Sequence, residues 1–338
     1  MLNQPIYING YSSINPVNGV NSRPDVFLCL EPEYKNYLDS SVVRRLGRIQ
    51  KMAMVAAQQC IESAENQIPE AIITGTGFGC LSDTDKFLNN MLENETGLHS
   101  PTSFIQSTHN TISGQIAIML KCNGYNNTFS HRGLSFEKAL DDAAMLLEEN
   151  ETENVMVGCA DEMPDNTHVI TQKINLFSKN PGDRLEIAGE GVHFFLISDK
   201  LSASCKGKIL QYESYDGHLT GDQVAAVIQE MISTSGLTES KIDTFITGQN
   251  PALTEPHYEE LASGFFKEAS LLQYKHLTGE GLTASAFGVI LALDLFKNKN
   301  SDSRFYNRNT DRKPTNVFVY NHFKGIYHSF FLIQDVEA

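Results

Sequence analysis

The rest of the chain is organised around Asn127-Thr128-Phe129-Ser130-His131-Arg132-Gly133-Leu134. Gly124 closes a polar turn before it. After it, Phe136, Leu140, Ala143, Met145, Leu146 and Leu147 recur at roughly helical spacing over 135–149. The pattern predicts a strand, a sharp turn and a helix. Residue 130 then stands at a backbone elbow that presents its side chain to a cleft.

The same alternation extends outward. Upstream, Ile6-Tyr7-Ile8-Asn9-Gly10 reads as an opening strand, and Asp39-Ser40-Ser41 offers N-caps for one helix through Val42, Leu46, Ile49, Ala53, Ala56, Ala57 and Cys60. Arg44, Arg45, Arg48 and Lys51 fall mostly off that apolar stripe and read as a solvated face, with a partner contact as the alternative. Ala71-Ile72-Ile73-Thr74 is a buried-type strand running into Gly75-Thr76-Gly77-Phe78-Gly79-Cys80. That turn lacks the full dinucleotide fingerprint and its acidic partner, so close packing is the preferred reading. Residues 100–111 read as a polar loop rich in capping residues. Downstream, Val155 to Glu162 is a strand ending in acidic residues, and Gly189-Glu190-Gly191 opens another long apolar strand. From about residue 207 a second alternation begins: a strand over 208–212, a helix over 221–235 and the strand Thr244-Phe245-Ile246-Thr247. A polar connection over 298–314 precedes the last strands. Strands alternating with helices in both parts argue an α/β fold with largely parallel sheets. Similarity between the two parts is too weak to count as a repeat.

Composition narrows the function classes. The 338 residues carry a net charge of -15, which argues against nucleic acid or anionic lipid as a partner. Six cysteines (29, 60, 80, 122, 159 and 205) lie scattered without metal-ligand spacing, as buried free thiols in a reducing compartment would. No metal and no cofactor is expected. No stretch reaches the roughly 18 apolar residues that a membrane span needs, and residues 1–10 lack the pattern of a signal peptide, so a cytoplasmic protein is expected.

The elbow and its flanking segments resemble the β-ketoacyl synthases of the thiolase superfamily. Those enzymes carry a nucleophilic cysteine in a Thr-Ala-Cys-Ser-Ser-Gly type run, and Ser130 stands at the cysteine. The family's His-Gly-Thr-Gly-Thr resembles Ile246-Thr247-Gly248-Gln249-Asn250, with Thr247 at the histidine. Its Lys-Ser-Xaa-Xaa-Gly-His resembles Lys275-His276-Leu277-Thr278-Gly279-Glu280, with Lys275 kept and Glu280 at the second histidine. Asn321-His322-Phe323-Lys324-Gly325 stands where the family has a glycine-rich Phe-Gly-Phe-Gly-Gly gate. No catalytic role is implied for Glu190, which reads as a loop carboxylate bonded to backbone amides.

The resemblance implies the thiolase fold: two similar βαβ-rich halves, 1–206 and 207–338, stacked in five αβαβα layers. It implies that the 100–110 segment, with Phe104, Thr108 and His109, lies at a dimer interface and lines the partner's acyl tunnel. Phe129, on the strand before the elbow, shares that interface. A condensing enzyme needs a thiolate to accept the acyl group and two histidines to assist decarboxylation and stabilise the enolate oxygen. All three positions are substituted here. The pattern resembles the chain length factors, degenerate subunits that pair with an active ketosynthase in polyketide and aryl polyene systems and work on acyl carrier protein. Two alternatives stand beside it. One is an acyltransferase or hydrolase using Ser130 with a histidine such as His109 or His276. The other is a homodimeric, acyl-binding homologue, or one with a relocated thiol such as Cys159. Glu280 also has a quieter reading, as a buried carboxylate bonded to Lys275.

Overall fold

The computed structural model describes residues 2–19, 23–93, 101–178, 186–250, 256–297 and 302–337; Ser100 and 298–301 of the segments named above lie outside them. Ten strands carry the architecture. The first five are β1 (Ile6–Ile14), β2 (Ala71–Gly75), β3 (Asn126–Phe129), β4 (Asn154–Asp161) and β5 (Gly191–Ser198). The second five are β6 (Gly207–Asp216), β7 (Thr244–Thr247), β8 (Ser270–Gln273), β9 (Asn316–Phe323) and β10 (Tyr327–Gln334). Their spatial order is β3-β2-β4-β5-β1, then β6-β10-β9-β7-β8, with a short strand Tyr306–Arg308 on the far edge.

Each set of five repeats the other. β5 runs antiparallel to β1 and β4, while β4, β2 and β3 run parallel. β10 runs antiparallel to β6 and β9, while β9, β7 and β8 run parallel. The sets meet where Ile6, Tyr7 and Ile8 of β1 pair with Ile209, Lys208 and Gly207 of β6. The repeat that sequence similarity hides is plain in the topology.

Side-chain alternation turns these strands into layers. Ile72, Met156 and Phe194 point to α1 (Arg48–Ser63) and α2 (Thr111–Leu120). Ile73, Val157 and Phe195 point the other way, into a core shared with α3 (Ser135–Glu148). In the second set, Phe245, Phe318 and Phe330 face α4 (Gly221–Thr234) and α5 (Pro256–Ser263). Ile246, Val319 and Phe331 join the shared core with α6 (Ser285–Lys297). Helices α3 and α6 therefore lie between the two sets of strands, which gives the five layers of the thiolase fold. Helix α6 is apolar on nearly every side because it has core on every side.

Two local expectations are corrected. The single helix expected from Asp39 is broken into Ser40–Val43 and α1, with Gly47 as the N-cap of α1. A Cβ on Gly47 would lie 2.1 Å from Asp83 Oδ2 and 2.3 Å from Gln50 Oε1, so a larger residue there would have to displace those two side chains. The segment expected as a polar loop folds over Pro101–Gln106 into a short helix beside the helix Leu81–Glu93. Among the described residues no helix is long and apolar enough to cross a membrane.

Candidate functional site

The elbow is built from short-range contacts. Ser135, the first residue of α3, accepts the His131 N–H at its Oγ (2.9 Å), and that Oγ lies 3.0 Å from the Thr76 carbonyl. Gly75 lets β2 end directly under α3, since a Cβ there would meet the Ser135 carbonyl at 2.3 Å. Arg132 takes the left-handed conformation (φ 51°) that turns the chain, and its guanidinium donates to the Tyr327 hydroxyl at 3.3 Å. Ser130 is exposed. It lines an open pocket of about 600 Å³ with Ser107, Thr108, His109, Asn110 and Asn126, a wall of uncharged polar groups. Ser130 makes no hydrogen bond to another of the described residues.

Thr247, Lys275 and Glu280 do not reach that pocket. Thr247 ends β7, buried, with Oγ1 3.4 Å from the Leu272 carbonyl. Lys275 Nζ donates to Glu280 Oε2 at 2.7 Å and to the His322 carbonyl at 2.9 Å, with both side chains shut off from water. Burial pushes the Glu280 carboxyl up to about 7, against the opposing pull of the Lys275 ammonium. Between this pair and the elbow, Leu134, Met163, Phe177, Leu282, Phe323 and Tyr327 pack together. An ion pair between Lys324 and Glu186 closes over the Phe177 and Phe323 rings.

The rival nucleophile and bases are placed as follows. Cys159 is fully buried, and burial drives its thiol well above the ordinary range, the state of an inert thiol. His276 bonds the Arg304 carbonyl at 2.9 Å, away from the elbow. His131 points to Asp216 at 3.9 Å. His109 alone of these shares the Ser130 pocket; its ring lies against Gly79, where a Cβ would come within 2.1 Å of it.

Phe104 is 55% exposed and packs its ring 5.3 Å from Phe87. Thr108 is exposed, and Phe129 is half-buried on β3, the open edge of the sheet. Leu88, Met91 and Leu92 on the neighbouring helix, with Ile105, Ile118 and Tyr125, are also exposed.

Two polar centres lie outside the positions singled out by the resemblance, and the second bears out the reading of Glu190 as a carboxylate bonded to backbone amides. The first is Asp161, whose carboxylate accepts from the amides of Gly77 (2.9 Å) and Phe78 (2.8 Å) and from the hydroxyls of Thr76 (2.9 Å) and Thr283 (3.0 Å). The glycine-rich turn therefore cradles the chain's own anion, in the way that such turns elsewhere hold phosphate. The second is Glu190. It accepts from the amides of Cys29 (2.9 Å) and Met163 (2.8 Å), and also from both terminal nitrogens of Arg48 (2.8 and 2.9 Å). Arg48 is thereby corrected: it is no part of a solvated face but the centre of an ion-pair network with Glu31, Glu162 and Glu190. The signal was its spacing, four residues before Met52 on the buried stripe of α1.

Residues 31–180 match the family model described as "Beta-ketoacyl synthase, N-terminal domain". No curated protein matches the chain by sequence. Solved structures match over nearly its whole length. One is described as the ishigamide ketosynthase/chain length factor, at 14% identity and TM-score 0.75, covering 98% of this chain and 99% of that one. A β-ketoacyl synthase from Burkholderia phymatum STM815 shares 13% identity at TM-score 0.78, covering 98% and 100%. A type II polyketide synthase acyl-carrier protein in complex with its ketosynthase bound to the hexaketide gives 12%, TM-score 0.74, and coverage of 98% and 100%. Over residues 31–180 the chain is thus similar to the β-ketoacyl synthase N-terminal domain, and as a whole it carries the thiolase fold seen in these ketosynthase structures.

Proposed function

We propose that this chain is a non-catalytic, chain-length-factor-type subunit that pairs with an active 3-oxoacyl-carrier-protein synthase. The observation that carries the reading is Glu280. At the position where the resemblance expects an imidazole, a carboxylate is spent on a buried bond to Lys275. When ionised, a carboxylate there repels an enolate oxygen instead of stabilising it. Ser130 and Thr247 supply neither a thiolate nor an imidazole at the other two positions. The pathway is chain extension on an acyl carrier protein, of the polyketide, aryl polyene or fatty-acid kind. We take the halves as 1–206 and 207–338, and place the protein in the cytoplasm on the strength of its free thiols.

The open edge of β3 and the exposed Phe104, Ile105, Leu88 and Tyr125 are the surface we assign to the partner. An obligate interface of this kind commonly exceeds about 2,000 Å². Co-expression with a candidate ketosynthase, followed by native mass spectrometry, is expected to give a 1:1 complex, with condensing activity lost when the partner's cysteine is replaced. A stable homodimer that ignores every candidate partner would overturn the reading in favour of a homodimeric acyl-binding homologue.

A second reading is favoured by one observation, the shared pocket of Ser130 and His109. If the pair acted as nucleophile and base, a fluorophosphonate would label Ser130, and both Ser130→Ala and His109→Ala would abolish labelling. The first reading expects no labelling in any of the three proteins.

A further inference from the structure

Two buried oxygens meet beside Gly47 with no donor between them. They are Gln50 Oε1 on α1 and Asp83 Oδ2 on the helix Leu81–Glu93, and neither accepts a hydrogen bond from any described residue. Gln50 is fully buried and Asp83 is 3% exposed. They converge because the Cβ position of Gly47 lies 2.3 Å from the one and 2.1 Å from the other. Glu162, just past β4 and also buried, has a third oxygen without a partner, Oε1. Cys80 stands among these carboxylates: burial, and then the charges of Asp83 and Glu162, push its thiol up to about 12.

The Gln50 amide cannot relieve the conflict by turning over. Its nitrogen donates to the Gln106 carbonyl at 3.0 Å, and Gln106 in turn donates to the Arg45 carbonyl. In that orientation Oε1 is turned to Asp83; reversed, it would meet the Gln106 carbonyl instead. Either way an oxygen faces an oxygen out of reach of water, where polar groups are as a rule satisfied. The neighbouring cations are engaged elsewhere. Arg48 is bonded to Glu31 and Glu190 and reaches Glu162 only at 3.5 Å, through Oε2. Lys86 donates to the other oxygen of Asp83, Oδ1, at 3.2 Å. Burial raises the Glu162 carboxyl; Arg48 and then Ser82 oppose the rise, and Glu190 and Asp83 add to it. Negative charge is thus in excess around these oxygens.

We propose that Gln50 Oε1 and Asp83 Oδ2, with Glu162 beside them, hold a monovalent inorganic cation such as potassium or sodium.

The donor set fits a single charge. Among the described residues no three His, Cys, Asp or Glu side chains are placed to hold a metal, and one acceptor here is a neutral amide. A site made of oxygens alone also escapes the cysteine and histidine spacing by which zinc is recognised. Ser82, Arg48 and Glu162 line an open pocket of about 500 Å³, which gives an ion its way in. Once seated, the ion ties the start of α1 to the helix Leu81–Glu93.

The test is thermal unfolding of the full chain in potassium, sodium or choline chloride, each at an ionic strength of about 0.15 M. Choline is too bulky for a buried site. The midpoint is expected to stand about 2–4 °C higher in potassium or sodium than in choline, as mass action requires of a ligand held only by the folded state. Asp83→Asn sets an amide donor against Gln50 Oε1, keeps an acceptor for Lys86 and removes the charge. Its midpoints are therefore expected to agree across the three salts. Rubidium chloride soaked into crystals of the unaltered chain gives a readout independent of stability, an anomalous peak between Gln50 and Asp83. Equal midpoints in all salts, a salt preference that survives Asp83→Asn, or rubidium bound only elsewhere would each overturn the assignment.

Discussion

Replacing Lys275 with methionine is expected to destabilise the chain by about 3–5 kcal/mol, the usual cost of stripping one partner from a buried ion pair. Lys275 Nζ is the charge that faces the Glu280 carboxylate, and its second bond, to the His322 carbonyl, fixes the strand beside it. The loss should also depend on pH. Glu280 has a folded-state value raised to about 7 from the ordinary 4.5, so between those values the unfolded chain binds fewer protons than the folded one. Its contribution is thus fully present below about 4.5 and is lost as pH rises through about 7. Without Lys275 the carboxyl is held protonated to still higher pH, and the window of declining stability widens upward. Urea midpoints measured across pH for the parent, Lys275→Met and the double variant Lys275→Met/Glu280→Leu decide the matter. The double variant should recover most of the loss, because an apolar pair removes both desolvated charges. Equal destabilisation in single and double variants would show that packing, not charge, is what the lysine supplies.

Glu190→Ala is expected to cost a similar amount, about 3–5 kcal/mol. Its carboxylate collects the amides of Cys29 and Met163 and both terminal nitrogens of Arg48, four bonds that nothing else nearby can replace at once. Arg48 would retain Glu31 at 2.5 Å and Glu162 at 3.5 Å, one of them largely in solvent. Glu190→Gln keeps one acceptor oxygen and should lose about half as much. The damage should start in the segment around Cys29, which the carboxylate ties to the body of the first half. Hydrogen exchange there should accelerate in Glu190→Ala before global unfolding does. A uniform change across the chain, with no early loss at 26–30, would count against this anchoring role.

Much of the architecture was legible because it is written in short-range terms. The elbow at 127–134 declares itself through a strand, a glycine and a periodic helix, and the structure places β3 and α3 there. The break before α1 was not legible. The 39–60 stripe is continuous, yet the helix restarts at Gly47, which packs against Asp83, a residue remote in sequence. The glycine-rich turn at 75–79 was legible only as a place of close packing, since the carboxylate it holds, Asp161, arrives from a strand more than eighty residues on. At the candidate site, residue types alone put Ser130, Thr247 and Glu280 where the resemblance has a thiol and two imidazoles. They did not disclose that Phe177 packs edge-on against Phe323, or that His109 stands in the Ser130 pocket. The first depends on how the two halves stack, and the second on how the chain folds back between residues 107 and 130.

The repeat of strand order has one asymmetry with a consequence for assembly. The edge strand of the second set, β8, is covered by Tyr306–Arg308, three residues whose last side chain donates to the carbonyls of Ala262, Phe266 and Ala269. The equivalent strand of the first set, β3, has no such cover among the described residues. A filament grown by edge pairing needs a free strand at both ends of every unit, and a stub this short and cationic is a poor second end. If the partner proposed above docks on β3, growth through the sheet would stop after that one pairing event.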